Sequence, residues 1–338
     1  PPSFVLSTNV LMPVTSTQLR WTVKLIDNKT TLDLTSDPRT SYSSNDLTIC
    51  SLSSHPGTIF AGNAGSCVIT ISQNTLSATA SGSVQTFVPK PLSYIAIPGF
   101  ANNVKVSGNY AYVAAGSAGL QVVDVTDRTN PKIVASLPIS ANTNNLRIGG
   151  NTLYLATSKG VTLLDIAAPL APKILGALST PSQVWDLAIS GKLAFIANDQ
   201  SGLQVADVSN PSAPVIVGSL SITNGIAKGI ALSGNKAVIA AGTAAGVVIA
   251  DITSPSNPKV LGSVITDGDP RKVAVQGTTA FIAQYTSDSS HVATEQIVDF
   301  SSPSAPKIIA TTPLSLGGKL QDVALFTVGG DTFTFGAD

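Results

Sequence analysis

Gly119-Leu120-Gln121-Val122-Val123-Asp124-Val125 is the stretch on which the reading of this chain turns. An apolar run of strand length opens on a glycine and closes on an aspartate. Near-copies recur at Gly160-Val161-Thr162-Leu163-Leu164-Asp165, Gly202-Leu203-Gln204-Val205-Ala206-Asp207 and Gly246-Val247-Val248-Ile249-Ala250-Asp251. A looser fifth copy is Glu295-Gln296-Ile297-Val298-Asp299, and the aspartates are spaced by 41, 42, 44 and 48 residues. After each copy come a proline turn and another strand, as at Pro131-Lys132-Ile133-Val134 and Pro172-Lys173-Ile174-Leu175. Two shorter strands joined by a glycine turn precede it, as in Val104 to Val113 around Gly108. Four strands at a period of about 43 residues is the pattern of a β-propeller blade. The Ala-rich second strands (Tyr112-Val113-Ala114-Ala115, Val238-Ile239-Ala240-Ala241) suit sheets packed closely between two neighbours.

Composition agrees with strands and turns. Glu295 is the only glutamate among 19 acidic residues, so helix-favouring acids are nearly absent while turn-favouring aspartates abound. With 28 Gly, 21 Pro and one Met, no stretch shows a helical period, and an all-β chain is expected. The 19 basic residues balance the 19 acidic ones, and charged residues make up only 11% of the chain. That argues against a nucleic-acid partner, which needs a basic face. No apolar run approaches the roughly 20 residues of a membrane span. The opening Pro1-Pro2 is not a signal peptide, so a mature or trimmed product is expected.

The repeat resembles the LVIVD-repeat β-propellers, on Leu120-Gln121-Val122-Val123-Asp124 and Leu203-Gln204-Val205-Ala206-Asp207. The resemblance covers about residues 92–338. It implies a propeller and a surface or secreted setting, and it assigns no chemistry. Innermost strands begin near Val104, Leu146, Leu187, Gly229, Val273 and Val323, with a last second strand at Thr332–Phe335, which predicts six blades. The sixth is expected to be shared between the chain ends, with Leu92–Ile97 as its fourth strand. Its third strand is expected from Ser83–Val88, from chain beyond Asp338, or from another molecule's Phe4–Met12.

Residues 1–91 lack the repeat and alternate short strands with Asn, Asp and Ser turns, which suits a β-sandwich. Cys50 and Cys67 lie in two strand-like runs, and a disulfide stapling them is expected; this implies an oxidising compartment. The run Cys50 to Gly65-Ser66-Cys67-Val68-Ile69-Thr70-Ile71 resembles bacterial Ig-like modules, although Trp21 precedes both cysteines. Trp21 is expected in the core, and Pro89-Lys90-Pro91 reads as a stiff junction.

Loops from a fourth strand to the next first strand vary among the repeats, whereas first-to-second turns are short and uniform. Recognition is therefore expected on the variable face. Its candidate ligand residues are Trp185, Asp267, Asp269, Arg271, Tyr285 and His291. Asp267-Gly268-Asp269 is oxygen-rich but lacks the further ligands of a Ca²⁺ loop, and reads as a turn. His291 with Asp288 and Glu295 could form an acid/base group, but solvated insertion residues fit better. The repeat aspartates, one per blade, cannot converge on one ion and are expected to accept hydrogen bonds from the following turns. Asp186 and Asp322 fall near the channel mouth, where Lys105, Arg147 and Lys272 are expected at homologous positions, giving a mixed lining. No phosphate loop, nucleophile elbow or zinc motif is present. No catalytic residue, cofactor or metal is expected. The expectation is a secreted or cell-surface, non-enzymatic interaction protein whose partner is a surface protein, a glycan or other copies of itself. A filament subunit assembled by strand donation and a polysaccharide hydrolase or lyase are the alternatives. Intact-mass measurement with and without reductant is expected to differ by two hydrogens; two free thiols in the native protein would remove both the disulfide and the extracellular assignment.

Overall fold

In the computed structural model the described residues are 3–7, 16–24, 30–85, 91–285, 294–313, 320, 322–328 and 331–337. Every regular element among them is a strand. None is a helix that could cross a membrane. The chain divides into two compact units: Pro1–Pro91 with Phe326–Phe333, and Leu92–Leu325 with Thr334–Asp338.

The larger unit contains five four-stranded antiparallel sheets, each a simple up-and-down meander. Sheet I runs Asn103–Ser107, Tyr110–Ala114, Leu120–Asp124 and Lys132–Leu137. Sheets II to V repeat this from Thr143, Asp186, Gly229 and Asp269. A two-stranded sheet, Asp322–Val328 with Asp331–Ala337, follows in the chain and is divided between the two units. Five complete sets of first, second, third and fourth strands are thus present among the described residues, followed by one further strand pair at the place where the repeat count expects a sixth repeat. First strands neighbour one another in chain order. Four core clusters each span two consecutive sheets of the five. Tyr112, Leu120 and Val122 of sheet I meet Leu146, Leu153 and Leu155 of sheet II, and Val247 and Ile249 of sheet IV meet Ala280 and Ile282 of sheet V. This is why the third strands are buried on both faces: Leu203–Asp207 is buried from Leu203 to Ala206.

The glycine that opens each copy has a steric cause. Gly202 has φ +68°, and a Cβ there would lie 2.3 Å from the Leu220 carbonyl oxygen at the end of its own sheet's fourth strand. Gly160 and Gly246 meet Leu178 and Val264 in the same way, at 2.0 and 2.1 Å. Gly191, in the tight turn between first and second strands, also has positive φ (+56°) but open space around it.

Two expectations about the sixth repeat fail. Leu92–Ile97 is in no strand; Ile95 and Ile97 pack instead onto Ala111, Val113 and Val123 of sheet I. Its anchor is the Ser93 hydroxyl, which donates to the Arg128 carbonyl. Ser83–Gln85 close Leu76–Gln85 in the smaller unit, where both edges are already taken by Gly65–Gln73 and by Ser3–Ser7. Residues 86–88 lie outside the described residues, as do 89–90 of the expected junction. Phe4 to Ser7 pair in parallel with Gly82 to Gln85 of their own molecule, and residues 8–12 are outside the described set.

In the smaller unit a four-stranded sheet (Ser3–Ser7, Leu76–Gln85, Gly65–Gln73, Ser41–Ser44) accompanies a three-stranded one (Ser16–Gln18, Thr58–Ala61, Cys50–Leu52). Cys50 and Cys67 are bonded and tie the two sheets together. Trp21 is buried with them among Ile59, Ile69, Ile71 and Val84.

Gly202→Ala is expected to cost more than Gly191→Ala. The left-handed backbone alone penalises a side chain by roughly 1–2 kcal/mol, and only Gly202 adds an overlap with a carbonyl. Equal urea midpoints for the two variants would refute the steric account.

Candidate functional site

The pairing register decides which residues reach the axis of the larger unit. Asn103, Asn145, Asp186, Gly229 and Lys272 pair respectively with Ala114, Ala156, Ala197, Ala240 and Ala283, so they occupy one level of the first strands. Two residues further along, Lys105, Arg147, Ala188, Ala231 and Ala274 form the next level and pair with Tyr112, Tyr154, Phe195, Val238 and Phe281. The sequence-based alignment of Asp186 with Lys105 and Arg147 is corrected accordingly: in the register, Lys105 and Arg147 stand one alternation deeper. Residues between the levels (Leu146, Leu187, Ile230) point into the sheet interfaces and are buried. One residue before the first level, Asn102, Asn144, Trp185, Lys228 and Arg271 form the rim on the variable-loop side.

Two cavities follow from this arrangement. The deeper, of ≈ 330 Å³, is lined by Lys105, Arg147, Asp186, Lys272 and Asp322 together with Ala188, Ala231, Ala274 and Ala324. The larger, of ≈ 760 Å³, reaches from Lys105, Lys272 and Asp322 to the rim residues Trp185, Lys228 and Arg271. It also extends along Ala111, Val113 and Val123 to Ile95 and Ile97.

Ion pairs organise the polar wall. Asp186 is buried and accepts from Arg147 Nη2 at 2.7 Å and Asn145 Nδ2 at 2.9 Å, with Lys272 Nζ at 3.2 Å. Asp269 accepts from Lys228 Nζ at 2.8 and 2.7 Å. Arg271 Nε lies 2.8 Å from the same carboxylate, as an ionic contact without hydrogen-bond geometry. Lys105 differs: among the described residues it has neither a hydrogen bond nor an ion pair. Burial pulls its ammonium below the usual lysine range and nearby Arg147 pulls it further, partly offset by Asp322 and Asp186.

The other candidates separate into roles. Trp185 is half-buried at the rim, with Nε1 3.4 Å from Asp199 Oδ1. Asp199 holds φ +47°, where sheets I and IV have Gly116 and Gly242. Arg271 stacks on Tyr285, its guanidinium carbon 4.9 Å from the ring centroid. Asp267 turns away from Asp269 and accepts from Gln296 Nε2 at 2.6 Å. Among the described residues no cluster of potential metal ligands forms. His291 and Asp288 lie outside the described residues. Glu295 is no solvated insertion residue. It sits in strand Thr294–Asp299, buried, and accepts from Thr334 Oγ1 at 2.8 Å; burial raises its pKa, and the bond from Thr334 partly offsets this. Lys228 and Asn103, absent from the candidate residues, reach the cavities because strands 41 or more residues apart converge there, a relation visible only once the register is known.

The repeat aspartates are turn residues. Asp124, Asp165, Asp207, Asp251 and Asp299 each accept the backbone N–H two residues on, at 2.8–2.9 Å. These bonds, expected from the turns that follow, are at the surface, and none approaches the channel. For Asp207 the Ser209 N–H and hydroxyl lower the pKa below its ordinary 3.8.

Comparison with known proteins agrees with this geometry. The LVIVD repeat matches residues 98–137, 181–221 and 224–266, so the chain carries LVIVD repeats over three of its five complete sheets. Among solved structures, a functionally unknown protein from Desulfotomaculum acetoxidans DSM 771 superposes with a TM-score of 0.56 at 16% identity, covering 74% of this chain and 77% of that one. The Myceliophteria thermophila Cps50 (Swd1) β-propeller domain gives 0.51 at 12%, covering 78% and 85%. A chain of the Mitotic Checkpoint Complex gives 0.56 at 14%, covering 79% and 77%. At these identities the likeness concerns the fold: a propeller-type repeat protein. No curated protein matches.

A depressed folded-state pKa stabilises above the unfolded value and is lost as pH falls through the folded one. Asp207→Asn keeps an acceptor oxygen but no charge. It is expected to melt below the wild type at pH 7, with the gap closing as pH falls below about 4. A gap that stays constant from pH 7 to pH 2 would show that the Asp207 charge contributes nothing.

Proposed function

We propose that this chain is a secreted or cell-surface interaction protein, non-enzymatic, that recognises its partner through the loop-side mouth of a six-bladed propeller. Asp322–Val328 and Asp331–Ala337 serve as the first two strands of the sixth blade. Leu92–Ile97 covers the side of sheet I that this blade would otherwise face. The smaller unit is an Ig-like module, a reading supported by two sheets joined by a disulfide with Trp21 packed against it. One observation carries the functional reading: a ≈ 760 Å³ cavity, running along the apolar flank of sheet I, reaches the variable-loop rim and is lined there by polar side chains from several sheets, whereas the opposite first-to-second-strand turns are uniform. Clefts of this size with a few convergent polar groups on a rigid scaffold are the usual form of a recognition site.

The filament reading keeps one specific support. Val104 of sheet I is 51% exposed, while its counterparts Leu146 and Leu187 in the next sheets are fully buried, and Val106 is 63% exposed where Ile148 and Ile189 are half-buried. Leu92, Tyr94 and Phe100 are exposed in the segment leading into the same strand. An apolar edge of this kind suits contact with another copy.

Labelled full-length protein added to cells of the producing organism tests the main reading. The double variant Trp185→Ala/Arg271→Ala is expected to lose about ten-fold or more of its binding, while Asn109→Ala/Asn235→Ala in the opposite turns keeps it. Equal binding by both would overturn the loop-side assignment. Long assemblies in negative stain that vanish with Val106→Lys would favour the filament.

A further inference from the structure

We infer that the loop-side mouth binds an acidic saccharide, with the carboxylate of a uronic-acid residue beside Lys105 and the sugar chain passing Trp185. This rests on the recognition reading above and names its ligand class.

The deeper level of the channel is built unevenly. Lys105 and Arg147 come from adjacent sheets, and Ala188, Ala231, Ala274 and Ala324 complete the wall. Four methyl groups leave a hole beside two cations, one of which, Lys105, has no hydrogen bond or ion pair among the described residues. Asp186 neutralises one charge of the pair Arg147 and Lys272, and Asp269 one charge of the pair Lys228 and Arg271. Each trio therefore stays positive, and Lys105 faces Asp322 without touching it. A half-enclosed ammonium with no counter-charge within bonding reach is costly, and an arriving carboxylate removes that cost.

A second group narrows the chemistry. Asn103 Oδ1, at the level above Lys105, is enclosed and accepts no hydrogen bond from the described residues. Asn145, its counterpart in sheet II, has the same oxygen filled by the Leu146 N–H and by Arg147. The Asn103 oxygen is thus left for a donor other than the described residues. An ionised carboxylate or sulfate cannot donate, but a sugar hydroxyl can. Trp185 adds an indole face at the rim, which suits the apolar C–H face of a pyranose. A cavity of ≈ 760 Å³ holding the ammonium, the amide oxygen and the indole has room for two or three sugar residues.

Titration calorimetry on the full chain with a galacturonic-acid trimer, a galactose trimer and a glutamate trimer tests the assignment. The uronate is expected to bind, more weakly in high salt, and at least about ten-fold more tightly than either control. Lys105→Met and Trp185→Ala are each expected to lose about ten-fold or more. Lys105→Met keeps or raises the melting temperature, which separates lost binding from lost folding. Uronate binding that survives Lys105→Met overturns the inference, as does equal affinity for the galactose or the glutamate trimer. If no uronate binds while whole cells still bind through Trp185 and Arg271, the ligand class is wrong and the recognition reading stands. If cell binding is also indifferent to that rim, the recognition reading falls as well.

Discussion

How closely one sheet can approach the next governs the larger unit. A Cβ on Gly176, Gly218 or Gly262, in the fourth strands of sheets II to IV, would lie 2.1–2.5 Å from the carbonyl oxygen of Pro211, Pro255 or Pro303 in the following sheet. Nearer the axis, Ala114, Ala156, Ala197, Ala240 and Ala283 are fully buried at one shared level. Small residues at both radii let backbone pack on backbone, and the apolar third strands fill what lies between. The same spacing fixes the width of the channel. It therefore fixes which side chains meet across the channel, so the site geometry is inherited from the glycines and alanines of the interfaces.

This constraint explains what could be read in advance. Spacing of Asp124, Asp165, Asp207, Asp251 and Asp299 exposed the period because the interface residues around them cannot vary freely. The strand order, the paired cysteines and the buried Trp21 followed from local pattern. The sixth repeat differs in detail, since Leu92–Ile97 has strand-like composition but, among the described residues, no strand pairs with it. Propensity proposes a strand; only a partner edge completes it. Ser83–Gln85 show the converse: both flanking edges in the smaller unit were unknown to the sequence.

The channel was harder to read for a physical reason. Its lining positions face open space, so packing imposes no residue type and no repeat signal marks them. Asn103, Lys105, Arg147, Asp186 and Lys272 look like scatter along the chain and become a cluster only through the cross-strand register. Trp185, Asp269 and Arg271 were reachable through loop variability, a property of the rim. Asp267 shared that signal and belongs to a turn, because Gln296 holds it from the neighbouring strand.

The disulfide of the smaller unit has a mechanical consequence. Cys50 and Cys67 are 17 residues apart, and the bond joins one sheet to the other. If tension were applied along the backbone, that loop could not lengthen, and about 60 Å of contour would stay locked until the bond was reduced. Load would bypass strand Thr58–Ala61, which lies wholly inside the loop. A stretched molecule would thus keep Thr58–Ala61, with Trp21's partner Ile59, off the load path, ready to template recoil when the force is released.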